Sequence, residues 1–113
     1  MFRDLNWSPA EKKIARKAYD VARETALGKL VTEFKRRAAA AATAPDVWQI
    51  EDYLRQQRRE IDEMLDFRYS QLPLVFARLI IEGHLKEGLL DGLSEEKREI
   101  IRSLLASSTR RAN

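Results

Sequence analysis

The chain has no cysteine, and among its 113 residues there are one histidine, four glycines and three prolines. Without thiols, disulfide staples and thiolate chemistry are excluded, and nothing in the composition supports secretion. A single histidine, His84, leaves no nitrogen-rich metal site to be expected within one chain. The opening Met1-Phe2-Arg3-Asp4-Leu5-Asn6-Trp7 has no apolar signal core. The longest apolar run, Leu72 to Ile81, is broken by Arg78 and falls well short of the ~20 residues a bilayer requires. A cytoplasmic protein without integral membrane association is therefore expected. There is also no glycine-rich phosphate loop and no nucleophile paired with a base. Glu60, Asp62, Glu63 and Asp66 crowd one helix, but the Glu-x-x-His pattern of bundle metal sites is missing, so they read as a solvated acidic face. No cofactor, no metal and no catalytic residue is expected, and the chain does not read as an enzyme.

What is present is helix-forming. Hydrophobic residues make up 44% and charged residues 35%, and so few glycines and prolines leave room for few, long helices. The 21 Lys/Arg and 18 Asp/Glu are interspersed, giving a net charge of +3. Nucleic-acid sites show a basic stripe with little acid in it, whereas Lys35-Arg36-Arg37, Arg58-Arg59 and Arg110-Arg111 are short and mostly have acidic neighbours. A nucleic-acid partner engaged through Arg36, Arg37, Arg58 and Arg59 is the weaker reading.

The stretch from Thr43 to Asp66 organises the rest. Thr43 is placed to cap a helix, Pro45 fits a first turn and Asp46 completes a capping box. Val47, Ile50, Leu54, Ile61 and Met64 follow at 3-4 spacing as the expected core seam, with Gln57 interrupting. Beside the seam runs a second stripe, Trp48, Asp52, Arg55, Arg59 and Asp62, flanked by Glu51 and Arg58. A rigid indole next to arginines and carboxylates is the composition favoured in protein interfaces. The same residues also allow a blander arrangement, with Trp48 in the core and the charges forming solvent-exposed i,i+4 pairs.

Upstream, Ser8-Pro9-Ala10-Glu11 is a capping box that starts a first helix. From Ile14 its apolar positions run through Ala18, Val21, Leu27, Leu30, Val31, Phe34, Ala38 and Ala41, and no proline intervenes before Pro45. Ala38 to Ala42 suit either a close helix crossing or simple helix propensity. A helix from Pro9 to about Ala42 is roughly 50 Å long, so it must project from any single-chain core and needs a partner along its stripe. A second copy is the simplest supplier. Downstream, Ser70 and Pro73 suit the start of a third helix, which is the most hydrophobic and ends near Gly83 or Gly88. Ser94 suits the start of a fourth, Glu95 to about Ala106. The expected architecture is one all-α domain, residues 1–113. It comprises a long helical hairpin (8–66), a small two-helix head (67–106) and a flexible tail (107–113), paired into an elongated homodimer. The function left open at this point is that of a helical dimerisation or adaptor module.

The run Asp46-Val47-Trp48-Gln49-Ile50-Glu51-Asp52-Tyr53-Leu54, then Arg58-Arg59-Glu60-Ile61-Asp62, then Leu74-Val75-Phe76-Ala77-Arg78-Leu79-Ile80-Ile81-Glu82-Gly83, resembles the fluorescence recovery protein family of cyanobacteria. Trp7-Ser8-Pro9-Ala10-Glu11 resembles the start of that family, and the likeness reaches from Trp7 to about Leu105. The resemblance implies an all-helical homodimer without catalytic chemistry. Its members bind the light-activated orange carotenoid protein, help detach it from the phycobilisome antenna and speed its return to rest. It further implies that Trp48, Asp52 and Arg58, with neighbours Glu51, Arg55 and Asp62, lie at the dimer and partner-binding surface. Leu74 and Phe76 of the head would lie towards the carotenoid protein. Glu51 stands where members tend to carry His, and Arg55, Gln56 and Gln57 replace smaller residues.

Overall fold

Two reciprocal capping boxes start the two long helices of the computed structural model, which describes residues 5–112. Helix α1, Pro9–Ala40, begins where Ser8 Oγ accepts from Glu11 N at 3.1 Å and Glu11 Oε1 accepts from Ser8 N at 3.1 Å. Nothing lies within 4 Å of a Cβ built on Gly28, so this glycine softens the helix without serving a close contact. The helix stops when Ala41 turns extended, and the chain reverses through Thr43 into α2, Ala44–Met64, with Pro45 in its first turn.

A turn follows in which Gln71 N and Leu72 N donate to Arg68 O at 2.7 and 3.0 Å. It leads to α3, Leu72–Ile81, whose cap position is Gln71 without a side-chain bond, so Ser70 is not the cap. Pro73 lies in the first turn of α3, and Gly83, at φ 80, ends it. A 3-10 turn, Glu87–Leu90, then leads to α4, Glu95–Ala112, where Ser94 Oγ accepts from Lys97 N at 3.4 Å. Helix α4 does not stop near Ala106; its backbone stays helical to Ala112, and Asn113 lies outside the described residues. The fold is all-helical, with no strand among the described residues.

The core sits where α3, the 3-10 turn and α4 lie on the N-terminal half of α1. Phe76, Leu72, Leu79 and Ile101 are fully buried, each contributing about 1.5–3 kcal/mol by leaving water. On α1 the buried positions are Ala15, Ala18, Ala22 and Ala26. Of the larger residues on the expected stripe, Val21, Val31 and Phe34 are exposed in the single chain. Alanines at 3-4 spacing let the head's backbone come close, and the bulkier side chains are left pointing elsewhere. The α2 seam differs too. Met64 alone is fully buried, Ile50, Leu54 and Ile61 are half-buried, and Val47 is 51% exposed. This follows from placement: α2 lies against the far half of α1, and only its end reaches the head. The principal extents are 53 × 33 × 23 Å and the radius of gyration is 16.8 Å. A compact chain of this length would have about 13 Å, so the hairpin projects.

Candidate functional site

The projecting hairpin carries the charged stripe, and hydrogen bonds fix the turn before it. Asp46 Oδ2 accepts from Ala42 N at 2.9 Å and Thr43 N at 3.1 Å, and Asp46 N donates to Thr43 Oγ1 at 3.4 Å. Those backbone donors hold the Asp46 carboxyl below its usual range. Across the seam, Glu33 takes Arg36 Nε at 2.9 Å and Arg37 Nε at 3.0 Å, and these hydrogen bonds pull its carboxyl down to about 2. Arg37, so oriented, stacks its guanidinium 3.7 Å from the Tyr53 ring centroid and ties α1 to α2.

One and a half turns into α2, Trp48 is 61% exposed. An indole with that much surface in water is not core, which removes the blander arrangement for this residue. Asp52, Arg55, Arg58 and Asp62 are exposed with it. Glu51 binds Arg55 Nη2 at 2.5 Å, the i,i+4 pair anticipated on this face. Asp52, Arg58, Arg59 and Asp62 have no ion-pair partner among the described residues, so their charges are available to a binding partner. The geometry therefore collects Trp48, Asp52, Arg55, Arg58 and Asp62 on one exposed helix flank.

An apolar stripe runs beside it. At 3.6 residues per turn, Leu27, Val31 and Phe34 fall together on α1 and Val47, Ile50 and Leu54 fall together on α2. In an antiparallel pair these two stripes flank the seam on the same side. Val31 is 49% exposed and Phe34 39%. Sequence periodicity assigned Val47, Ile50 and Leu54 to a core seam and left the α1 stripe in need of a partner.

The head contributes a second surface. Leu74 and Ile81 are 45% and 50% exposed, and with Ala77 on α3 and Leu104 on α4 they line a shallow groove of about 480 Å3. Phe76, paired with Leu74 as a candidate contact, is corrected here: it is 0% exposed and points into the core, two positions round the helix from the groove. Ile81 is a groove residue that the sequence reading missed. Its 3-4 spacing from Leu74 through Ala77, on the side marked by Arg78, was the signal available. Among the described residues no cluster of His, Asp or Glu has metal-binding geometry, and no helix is long and apolar enough to cross a membrane.

Residues 7–105 match the family described as photoprotection regulator fluorescence recovery protein. The chain is 32% identical over 98 residues to the fluorescence recovery protein of Synechocystis sp., covering 87% of this chain and 90% of that one. The solved structure from Fremyella diplosiphon superposes with a TM-score of 0.84 at 34% identity, over 88% of this chain and 97% of that chain. The solved Synechocystis structure gives 0.85 at 31% identity, over 89% of this chain and 99% of that one.

Proposed function

We propose a function from one premise: this chain belongs to the fluorescence recovery protein family of photoprotection regulators. On that basis its role lies in photoprotection, and its action is regulation by binding. It binds the light-activated form of an orange carotenoid protein and speeds its return to the resting form, ending antenna quenching. The carrying observation is the exposed flank of α2, where Trp48 stands 61% in solvent beside unpaired Asp52 and Arg58. An aromatic anchor ringed by complementary charge is the composition of an interface hot spot. A binder speeds a change only by holding the arrangement at its barrier more tightly than the starting one, so it must grip the closing arrangement of the carotenoid protein's domains more tightly than the light-activated form it first meets.

The working unit in this reading is a cytoplasmic homodimer, acting alongside the phycobilisome. Its support is the apolar stripe of Val31, Phe34, Val47, Ile50 and Leu54, which a single chain leaves partly in water and a twofold-related hairpin would cover. The head groove at Leu74 and Ile81 supplies a second contact for the same partner. Timing the colour reversion of purified, photoactivated orange carotenoid protein with and without this protein tests the proposal. Faster reversion and a complex on gel filtration are expected; an unchanged rate and no complex would overturn it.

A further inference from the structure

Among the described residues, hydrogen bonds tie the head to α1 at two places of opposite character. At one end Glu11 serves two helices at once. It closes the cap of α1, and its Oε2 accepts from Ser94 N at 2.9 Å, at the start of α4. Lys97 Nζ lies 3.1 and 3.2 Å from its two oxygens, with a further bond to Asn6 O at 2.5 Å, and sits 4.9 Å from the Trp7 ring centroid. The Lys97 and Glu11 side chains are 4% and 12% exposed. Packing there is tight: a Cβ built on Gly92 would lie 2.3 Å from Ile14 Cδ1.

Eighteen residues further along α1, about 27 Å away, the contact is a single exposed bond, Lys29 Nζ to Gly83 O at 2.7 Å. Lys29, Arg78, Glu82 and His84 line an open cleft of about 340 Å3 between α1, α2 and the end of α3. His84 Nδ1 is buried with no hydrogen-bond partner among the described residues. An unsatisfied polar atom raises the energy of the closed arrangement; Trp7 Nε1 at the other end is likewise buried without a partner among the described residues, but there Glu11 and Lys97 answer each other and the Ser94 and Asn6 backbones at short range.

We infer that the head hangs on α1 by a fixed pivot and a releasable latch. The Glu11, Ser94 and Lys97 cluster holds the start of α4. The Lys29 bond to Gly83 O opens, letting Glu82, Gly83 and His84 swing away from the hairpin while Leu79 and Leu85 stay in the core. Gly83 suits the joint because its positive φ needs no neighbour to hold it. The swing widens the cleft beside α2 next to the Ile81 edge of the head groove, so the latch adjusts the surface the head offers a partner. The device belongs to this chain's own packing and stands whether or not the partner is a carotenoid protein.

Hydrogen exchange on the full-length protein, read by mass spectrometry, tests it. The reporters are the amides of Glu82, Gly83 and His84, bonded to Arg78 O, Ile80 O and Leu79 O, against those of Lys97 and Arg98 at the start of α4. Lys29→Met keeps the aliphatic stem and removes the donor. It is expected to speed exchange at Glu82 to His84 about tenfold while Lys97 and Arg98 stay unchanged, and Lys29→Arg is expected to restore protection. Glu11→Gln is expected to speed exchange at Lys97 and Arg98. Lys29→Met leaving Glu82 to His84 unchanged would overturn the latch. Equal acceleration at both ends would overturn the separation of pivot from latch.

Discussion

Replacing Glu11 by Gln keeps the shape of the side chain and its ability to close the α1 cap, while removing the charge that Lys97 needs. Burial works against ionisation of Glu11. The backbone donors of Ser8 and Ser94 and the Lys97 ammonium outweigh it, and together they bring the carboxyl from 4.5 down to about 2. At 1.36 kcal/mol per unit that depression corresponds to about 3 kcal/mol of stability at neutral pH. Leaving a buried cation unanswered leads independently to about 3–5 kcal/mol. The expected loss on Glu11→Gln is therefore about 3 kcal/mol, or a melting temperature lower by roughly 12 °C for a chain of this size. The folded carboxyl ionises below its unfolded value, so its contribution is complete above about pH 4.5 and disappears as the pH falls towards 2. Urea denaturation followed by circular dichroism at pH 7 and at pH 3 measures both numbers, and the variant should show less acid sensitivity than the parent. Adding Lys97→Met should recover much of the loss, because the stranded charge goes with it. A loss under about 0.5 kcal/mol, or a double variant no more stable than Glu11→Gln, would refute the account.

Gly92→Ala places a methyl 2.3 Å from Ile14 Cδ1 and should cost about 1–3 kcal/mol in thermal melts, most of it recovered by Ile14→Val, which removes that carbon. Trp48→Ala should leave the melting temperature of the single chain nearly unchanged and weaken partner binding by about 2 kcal/mol or more in titration calorimetry. Phe34→Glu puts a charge into the proposed twofold contact and should shift sedimentation at micromolar concentration towards the single chain, with helicity retained. Burial pushes the His84 imidazole below 6.5, with the Lys29 charge adding to it. Stability should therefore fall as the pH drops through 6.5, where the unfolded chain takes up a proton that the folded one resists, and His84→Gln should flatten that fall in denaturant titrations between pH 5 and 7.

Much of the fold was legible because the chain punctuates itself. Ser8 with Glu11 and Thr43 with Asp46 announced two helix starts that the structure shows atom by atom. Gly83 and Gly88 both offered an end to α3, and the positive φ of Gly83 shows which one serves. Less was legible where a position must satisfy two distant elements. Lys97 sits at the third residue of α4, where a capping box favours an acid. That misplaced cation was a signal, but its answer lay at Glu11, 86 residues away. The stripe of Trp48, Asp52 and Arg55 flanked by Arg58 was readable from spacing, but composition left Trp48 open between core and surface, and its 61% exposure decided that. The inward turn of Phe76 was not read, although Arg78, on the same side of α3 as Leu74 and Ile81, marks the outer face and leaves Phe76 on the other.

Local chemistry alone decided that this chain is helical, where its two long helices begin and that it has no cysteine to staple or react. Those properties depend on residues within one turn of each other or on composition, so no folded neighbour is needed to read them. The assembled chain decided that alanines rather than valines and Phe34 line the inner face of α1 and that the N-terminal half of α1 serves the head. It also decided that one carboxylate anchors two helices. Each of these depends on which surfaces approach closely enough to exclude water, and that is set by elements far apart along the backbone.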